Sequence, residues 1–309
     1  MQTSSKIYVA GHRGMVGSAI VRKLKALGHD NIVMRTHNEL PLDDAAATDA
    51  FFAEHQPEYV FLAAAKVGGI LANDTMGGDF IRENLRIQTN VIDAAYRNGC
   101  KKLAFLGSSC IYPKHAEQPM QESCLLTGPL EPTNKPYAIA KIAGATMCDA
   151  YRRQFGFDAF TIMPSNVYGV GDNFDPQNSH VIAGMMRRFH EAKLAGASEV
   201  VVWGTGSPMR EFIDADDLAD AIVKLMSSYD DGGLINVGSS EEISIKDLAL
   251  LMKDIVGFSG DVTFDTDKPD GTPRKLMDNT KLRATGWTPN ETMQSGLTKM
   301  YAWFVENVA

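Results

Sequence analysis

A chain that runs Lys6-Ile-Tyr-Val-Ala10 into Gly11-His-Arg-Gly14-Met-Val-Gly17, then sets Met15, Val16, Ala19, Ile20 and Leu24 at helical spacing, has few folds open to it. The apolar run reads as a short buried strand, the glycines as a tight turn, and the periodic residues as the apolar stripe of a helix. Gly11 allows the turn, Gly14 lets backbone approach a pyrophosphate, and Gly17 lets the helix close on the strand, with the phosphates at the helix N-terminus. The segment Gly11 to Gly17, with His12, Arg13, Met15 and Val16, is therefore expected to hold a dinucleotide.

The alternation continues. Strands are predicted at 31–36, 59–63, 102–106 and 159–163, and helices at 44–55, 79–98 and 134–155, with Gly28 ending the first helix and Gly99 stopping the one before the fourth strand. Repeated βα units predict the α/β class and a doubly wound parallel sheet of Rossmann type, with ligands at the carboxyl ends of its strands. Ala63-Ala64-Ala65 at one such end would let a cofactor pass close, and suits buried packing equally. Beyond residue 165 the pattern loosens into a helix at 180–195, a strand at 199–203, a helix at 216–227, a strand at 234–237, a helix at 244–256 and a terminal helix to Val305. At roughly 150 residues per domain, the expectation is a dinucleotide domain over 1–165. Residues 166–309 then form a smaller α/β lobe, mainly for substrate, with segments that return to the sheet.

A net charge of −8 argues against a nucleic-acid surface, which needs clustered Lys and Arg. Cys100, Cys110, Cys124 and Cys148 form no Cys-x-x-Cys pair, which fits a reducing compartment, and no metal is expected. The apolar run 60–71 is broken by Lys66 and too short to span a bilayer. Cytoplasm without membrane contact is the expected setting.

Where a second strand of this kind often ends in an acid for the ribose 2′-hydroxyl, this chain has Arg35, with Arg13 in the glycine turn. A guanidinium cannot accept a hydroxyl proton but grips a 2′-phosphate, so NADPH/NADP is preferred to NAD. Further on, Gly107-Ser108-Ser109-Cys110-Ile-Tyr-Pro113 precedes Pro136-Tyr137-Ala-Ile-Ala-Lys141. Positions i and i+4 share a helix face, which sets an ammonium beside a phenol and is expected to lower the Tyr137 pKa towards neutrality.

The glycine turn, Ser108 ahead of Tyr137, Tyr-x-x-x-Lys and Asn166-Val-Tyr-Gly169 together resemble the extended short-chain dehydrogenase/reductase family of nucleotide-sugar enzymes, over nearly the whole chain. Within it, Ala63-Ala-Ala-Lys-Val-Gly-Gly69, Gly107-Ser-Ser-Cys-Ile-Tyr-Pro113, Asn178-Ser-His180 and Lys268-Pro-Asp-Gly-Thr-Pro-Arg-Lys275 resemble one branch. That branch inverts C3 and C5 of GDP-4-keto-6-deoxy-D-mannose and reduces C4 with NADPH. The resemblance implies a catalytic trio of Ser108, Tyr137 and Lys141, with Cys110 and His180 as the epimerisation acid/base pair. It implies substrate contacts from Ser108, Ser109, Cys110, Asn166, Arg188, Trp203, Arg210 and Asp270. Besides the glycine turn and Arg35, the expected cofactor contacts are Ala64, Leu106, Gly107, Lys141, Pro164, Asn166, Val167 and His180. A homodimer through the helices around 84–98 and 134–155 is also implied.

On the residues alone, Cys110 is not distinguished from Cys100 or Cys148, nor His180 from His12, His115 or His190. Trp203 suits core packing as well as stacking, and Asp270 suits a turn. Two rival functions compete. An NAD-recycling nucleotide-sugar 4-epimerase or 4,6-dehydratase is disfavoured by Arg35 and by the Cys110/His180 pair. A non-catalytic dinucleotide-sensing module has no need of Ser108, Tyr137 and Lys141 together.

Overall fold

The computed structural model describes residues 1–176, 178–268 and 270–309; Gln177 and Pro269, within the expected loops 170–179 and 268–274, lie outside the described residues. In chain order the strands are β1 (Ile7–Ala10), β2 (Ile32–Val33), β3 (Tyr59–Leu62), β4 (Lys102–Leu106), β5 (Asp158–Pro164) and β6 (Asn166–Tyr168). They continue with β7 (Glu199–Trp203), β8 (Met209–Asp214), β9 (Gly233–Val237), β10 (Glu242–Ser244), β11 (Asp261–Asp265) and β12 (Arg274–Lys275). The helices are α1 (Met15–Ala26), α2 (Ala45–His55), α3 (Ile70–Thr75), α4 (Gly77–Arg97) and α5 (Lys135–Phe155), followed by α6 (Val181–Leu194), α7 (Ala215–Ser228), α8 (Ile245–Val256), α9 (Thr280–Ala284) and α10 (Met293–Asn307).

Six strands make the main sheet in the order β2-β1-β3-β4-β5-β9, and every pairing is parallel. A parallel sheet must be covered on both faces, so its strands read as unbroken apolar runs. Accordingly β1 and β4 are buried at every position. One face packs Val9, Phe61, Ile162 and Ile235 under α1 and α7, through Ile20, Leu24, Leu218 and Ile222. The other packs Tyr8, Leu62 and Phe105 under α2, α4 and α5, through Phe52, Val91 and Cys148. A third core lies outside this sheet, where Met186 and Phe189 of α6 meet Leu248 and Met252 of α8 and Phe304 of α10.

The strand expected over 31–36 shrinks to Ile32–Val33, because it is an edge strand that bonds only to β1. The expected helix at 79–98 is preceded by α3, which no periodicity announced. β6, β8, β10, β11 and β12 were also not expected. They are short, and β8 reads Met-Arg-Glu-Phe-Ile-Asp, with a fully buried Glu211 where an apolar residue would signal a strand. β8 pairs with β6, β10 and β12, and β7 pairs with β11, forming two small sheets beside the main one. Among the described residues no helix is long and apolar enough to cross a membrane.

Candidate active site

The glycine turn joins β1 to α1 at the carboxyl edge of the sheet. Gly14 caps α1 in an extended conformation, with its N–H on the Gly11 carbonyl at 3.0 Å. Gly11 has φ +83°, and a Cβ there would lie 2.7 Å from the Ala64 backbone nitrogen; a Cβ at Gly17 would fall on the Gly11 carbonyl oxygen. Both positions therefore require glycine for backbone-on-backbone packing, which sets Ala64, expected as a cofactor contact, beside the turn. Gly14 is less tightly packed, since a Cβ there would make only ordinary contact, 3.5 Å from the Gly11 carbonyl oxygen. The turn thus presents bare backbone and the unpaired N–H groups of the first turn of α1, the donors that a diphosphate needs. His12 sits in the turn with a buried Nδ1 that has no hydrogen-bond partner, its pKa lowered by burial and by Arg13.

Arg35 follows β2 and lies half-buried over the Phe51 ring at 5.8 Å. It donates to the Met34 carbonyl at 2.9 Å and meets His55 Nε2 at 2.8 Å. Neither contact neutralises it. Arg13 is exposed, and the neighbouring carboxylate, Glu39, is occupied by the backbone N–H and hydroxyl of Thr36 at 2.7 and 2.8 Å. The residues present thus fit NADP(H), with a backbone cradle for the diphosphate and two guanidiniums for a further phosphate.

Ser108 ends the loop after β4 and caps a single turn of 3-10 helix over Ser109–Ile111, accepting the Cys110 N–H at 3.3 Å. Tyr137 stands at the start of α5, its ring edge-on to Phe80 with centroids 6.3 Å apart. The Ser108 hydroxyl lies near enough to the phenol to favour its ionised form, while Cys110 opposes it. Lys141 is buried, 3% exposed, between the Phe105 and Tyr137 rings at 4.7 and 5.9 Å, and donates to the Leu106 carbonyl at 2.7 Å. Burial pulls this ammonium down to about 7.

One expectation fails here. The Tyr137 pKa is raised, not lowered, chiefly by burial and then by Cys110, with Ser108 opposing. Lys141 sits on the carbonyl of Leu106, and in a site this dry its own charged form is penalised before it can favour a phenolate. Spacing placed the two groups on one face; burial reversed the sign.

Cys110 is half-buried beside Ser108. His180 caps α6 through its backbone and leaves its side chain out of the cap. Its Nδ1 lies 3.8 Å from Asp172 Oδ1, an ion-pair distance longer than a hydrogen bond. That pairing raises the His180 pKa, with burial opposing. Leu106, Gly107 and Pro164 line the strand ends as buried residues, while Asn166 and Val167 are partly exposed. A Cβ at Gly107 would run into the Met163 sulfur, and Asn166 donates its side-chain N–H to the Glu211 carbonyl at 2.8 Å.

The remaining expected contacts gather around β7. Its burial alternates, so Val201 and Trp203 face outwards, Trp203 at 69% exposure with Lys268 Nζ 5.7 Å from its ring. Trp203 is therefore a surface ring and not core. Arg188 on α6 reaches the Val201 carbonyl at 3.4 Å. Arg210 on β8 donates to the Met209 and Thr272 carbonyls at 2.8 and 2.6 Å. Desolvation holds both guanidiniums below their ordinary pKa, in the case of Arg210 against the opposing pull of Asp270. Asp270 accepts from the Thr205 N–H and hydroxyl at 2.9 and 2.7 Å, which pins the loop after Trp203.

Among the buried acids that escaped the sequence reading, Asp172 and Glu211 bear on this site. Asp172 could have been suspected from its place in the polar loop before His180. Glu211 accepts from Met277 N, Ser240 N and Asn279 Nδ2 at 3.0, 2.7 and 3.0 Å, pinning β8 under Arg210. No spacing rule marks it.

Residues 7–238 match the model of the NAD dependent epimerase/dehydratase family. The chain belongs to that family. Among its relatives, GDP-L-fucose synthase 1 of Arabidopsis thaliana is 60% identical over 305 residues, covering 99% of this chain and 94% of the relative. GDP-L-fucose synthase of Escherichia coli (strain K12) is 51% identical over 314 residues, covering 99% and 98%. The solved structure of MlghC, a GDP-mannoheptose C4 reductase of Campylobacter jejuni with NADP bound, superposes with a TM-score of 0.91 at 40% identity and covers 99% of both chains. This epimerase/dehydratase family member thus shares its full length with enzymes named for GDP-sugar chemistry.

Proposed function

We infer that this protein converts GDP-4-keto-6-deoxy-D-mannose to GDP-L-fucose with NADPH, inverting C3 and C5 and then reducing C4. The carrying observation is that the Ser108 hydroxyl, the Tyr137 phenol and the Cys110 thiol converge beside the buried Lys141. Reduction alone has no use for the thiol. Identities of 60% and 51% to proteins named GDP-L-fucose synthase support the substrate, and the glycine cradle with Arg13 and Arg35 supports NADPH.

A C4 ketone acidifies the hydrogens on C3 and C5, because removing either leaves charge on the carbonyl oxygen. Ser108 and Tyr137 hydroxyls aimed at that oxygen stabilise each enolate, and single donors of this kind are typically worth about 3 to 4 kcal/mol. Inversion needs a base on one face of the ring and an acid on the other, parts that Cys110 and His180 fill. NADPH, when bound, supplies the hydride that C4 takes. Tyr137 then gives its proton to the oxygen, a role that suits a phenol kept protonated by burial. Lys141 holds the floor of the site and offers N–H bonds to the phenol and the nicotinamide ribose.

Residues 1–165 serve the dinucleotide and the smaller remainder serves the GDP-sugar, with α7 and β9 returned to the main sheet. Trp203 stacks on the guanine while Arg188 and Arg210 hold the diphosphate, with Asp270 ordering the loop between them. The protein works in the cytoplasm as a homodimer joined through α4 and α5. Phe155, 42% exposed and stacked on Tyr96 at 4.8 Å, supports that face.

The test is incubation of the purified protein with GDP-4-keto-6-deoxy-D-mannose and NADPH, followed by NMR of the product sugar. GDP-L-fucose, with one NADPH consumed per product, is expected. A product still carrying the manno configuration at C3 and C5, or turnover without net NADPH consumption, would reject the reading and favour a plain reductase or an NAD-recycling enzyme.

A further inference from the structure

We propose that Asp172 is the positioning residue of His180, gripping the imidazole through Nδ1 so that Nε2 is the nitrogen offered to the sugar. The proposal rests on the reading of His180 as one of the epimerisation pair.

Asp172 is buried, 8% exposed, on the loop that leads from β6 to α6. Its Oδ1 accepts the Asn173 N–H at 2.7 Å, and its Oδ2 is buried with no hydrogen-bond partner. A buried carboxylate oxygen without a donor is costly, so the loop would hold one there only if a donor arrives. The His180 ring is the donor nearest this carboxyl group, its Nδ1 3.8 Å from Oδ1 while Oδ2 of the same group stands open to take the bond. Catalytic hydrogen bonds are often long without ligand and tighten when substrate binds.

The surroundings leave Asp172 to decide the state of the ring. Asp175, on the same loop, accepts from the backbone and side-chain nitrogens of Asn178 at 2.9 and 3.1 Å. Arg187 on α6 is occupied by Glu191 at 2.7 Å and by the Phe174 carbonyl at 3.1 Å. The loop after β3 packs on this turn, a Cβ at Gly69 lying 3.4 Å from the Ser179 carbonyl oxygen, but its Lys66 is paired with Glu83 at 2.8 Å. The carboxylate therefore keeps a proton on Nδ1 and sets the ring plane. Nε2, on the opposite side of a half-exposed ring, is left for proton exchange with the substrate.

The experiment follows the His180 ring by NMR of histidine-labelled protein, its signal assigned by loss in His180→Asn. Alongside it, incorporation of solvent deuterium at C3 and C5 of the GDP-4-keto sugar is measured across pH. Asp172→Asn is expected to lower the His180 pKa by about one unit and to release the Nδ1–H tautomer at high pH. It should slow deuterium incorporation about 10- to 100-fold, with KM within about twofold. Asp172→Glu should recover part of both effects, which separates a lost carboxylate from a damaged loop. On a His180→Asn background, Asp172→Asn should slow exchange no further. An unchanged ring pKa and tautomer in Asp172→Asn, or the same loss of rate on the His180→Asn background, would overturn the proposal. Should the wild-type protein exchange neither hydrogen, the epimerisation reading fails and the offer of Nε2 to the sugar goes with it, while the ring titration still decides whether Asp172 holds Nδ1.

Discussion

Among the described residues, Lys141 lies over Tyr137 at 5.9 Å, Arg35 over Phe51 at 5.8 Å and Lys268 over Trp203 at 5.7 Å, cations over aromatic rings at nearly equal distances. The two lysines accompany different expected site residues, Lys141 beside Tyr137 and Lys268 beside Trp203. Lys141 is enclosed and its ammonium is pulled to about 7, whereas Lys268 and Trp203 stand in water. The contrast teaches that similar pair geometry carries no fixed role. Where water is excluded, the charged form itself is in question and the pair is suited to moving protons. Where water is present, the pair contributes roughly 0.5 to 1 kcal/mol and is suited to holding a ligand. Arg35, half-buried, is intermediate.

The largest effect is expected at the enclosed pair. Tyr137→Phe should lower kcat by about 10²- to 10⁴-fold, the usual range for a lost proton donor, with KM for the GDP-sugar little changed. Steady-state kinetics would break the contrast if Trp203→Ala lowered kcat as much.

Lys141→Met sharpens it through stability. The folded-state pKa of Lys141 lies below its unfolded value, so between pH 7 and 10.5 the unfolded chain binds a proton that the folded one does not. Stability therefore rises with pH across that window, and the deficit is greatest below about pH 7. The Met variant should lose turnover, yet be more stable than wild type at pH 7, with the difference narrowing by pH 9. Urea denaturation of the cofactor-free protein at both pH values checks this, and a variant less stable at pH 7 would contradict the dry environment.

At the intermediate cation, Arg35→Ala should weaken NADPH much more than NADH, by about 1.5 to 3 kcal/mol for a charged hydrogen bond. Fluorescence titration with the two cofactors measures it, and equal losses would remove the phosphate role. The smallest effect belongs to the open pair. Trp203→Ala should raise KM for the GDP-sugar by roughly 3- to 10-fold, from a lost ring contact of about 0.5 to 1.5 kcal/mol, and leave kcat unchanged.

Much of the molecule was legible in the chain. β1, the glycine turn and α1 follow from a pattern confined to residues 6–24, and the close packing at Gly11 and Gly17 agrees with the reason given for each glycine. The three further helices expected in the first half, α2, α4 and α5, and β3 to β5 were equally readable, being long or mostly apolar. The smaller sheets were not. β8 hides its burial behind Arg210 and Glu211, since a buried carboxylate with three donors looks in sequence like a surface acid. Trp203 could be assigned only with the alternating burial of β7 in hand.

Local order along the backbone, then, was decided by the sequence itself. Helical periodicity put Tyr137 and Lys141 on one face, and glycines opened the turn where a diphosphate fits, because both effects act over a few neighbouring residues. Only the folded chain decided what those groups are chemically. The direction of the Tyr137 shift, the near-neutral Lys141 and the entry of β9 beside β5 all depend on segments far apart in sequence. Solvent exclusion is a sum over everything packed around a group, and no stretch of sequence contains that sum.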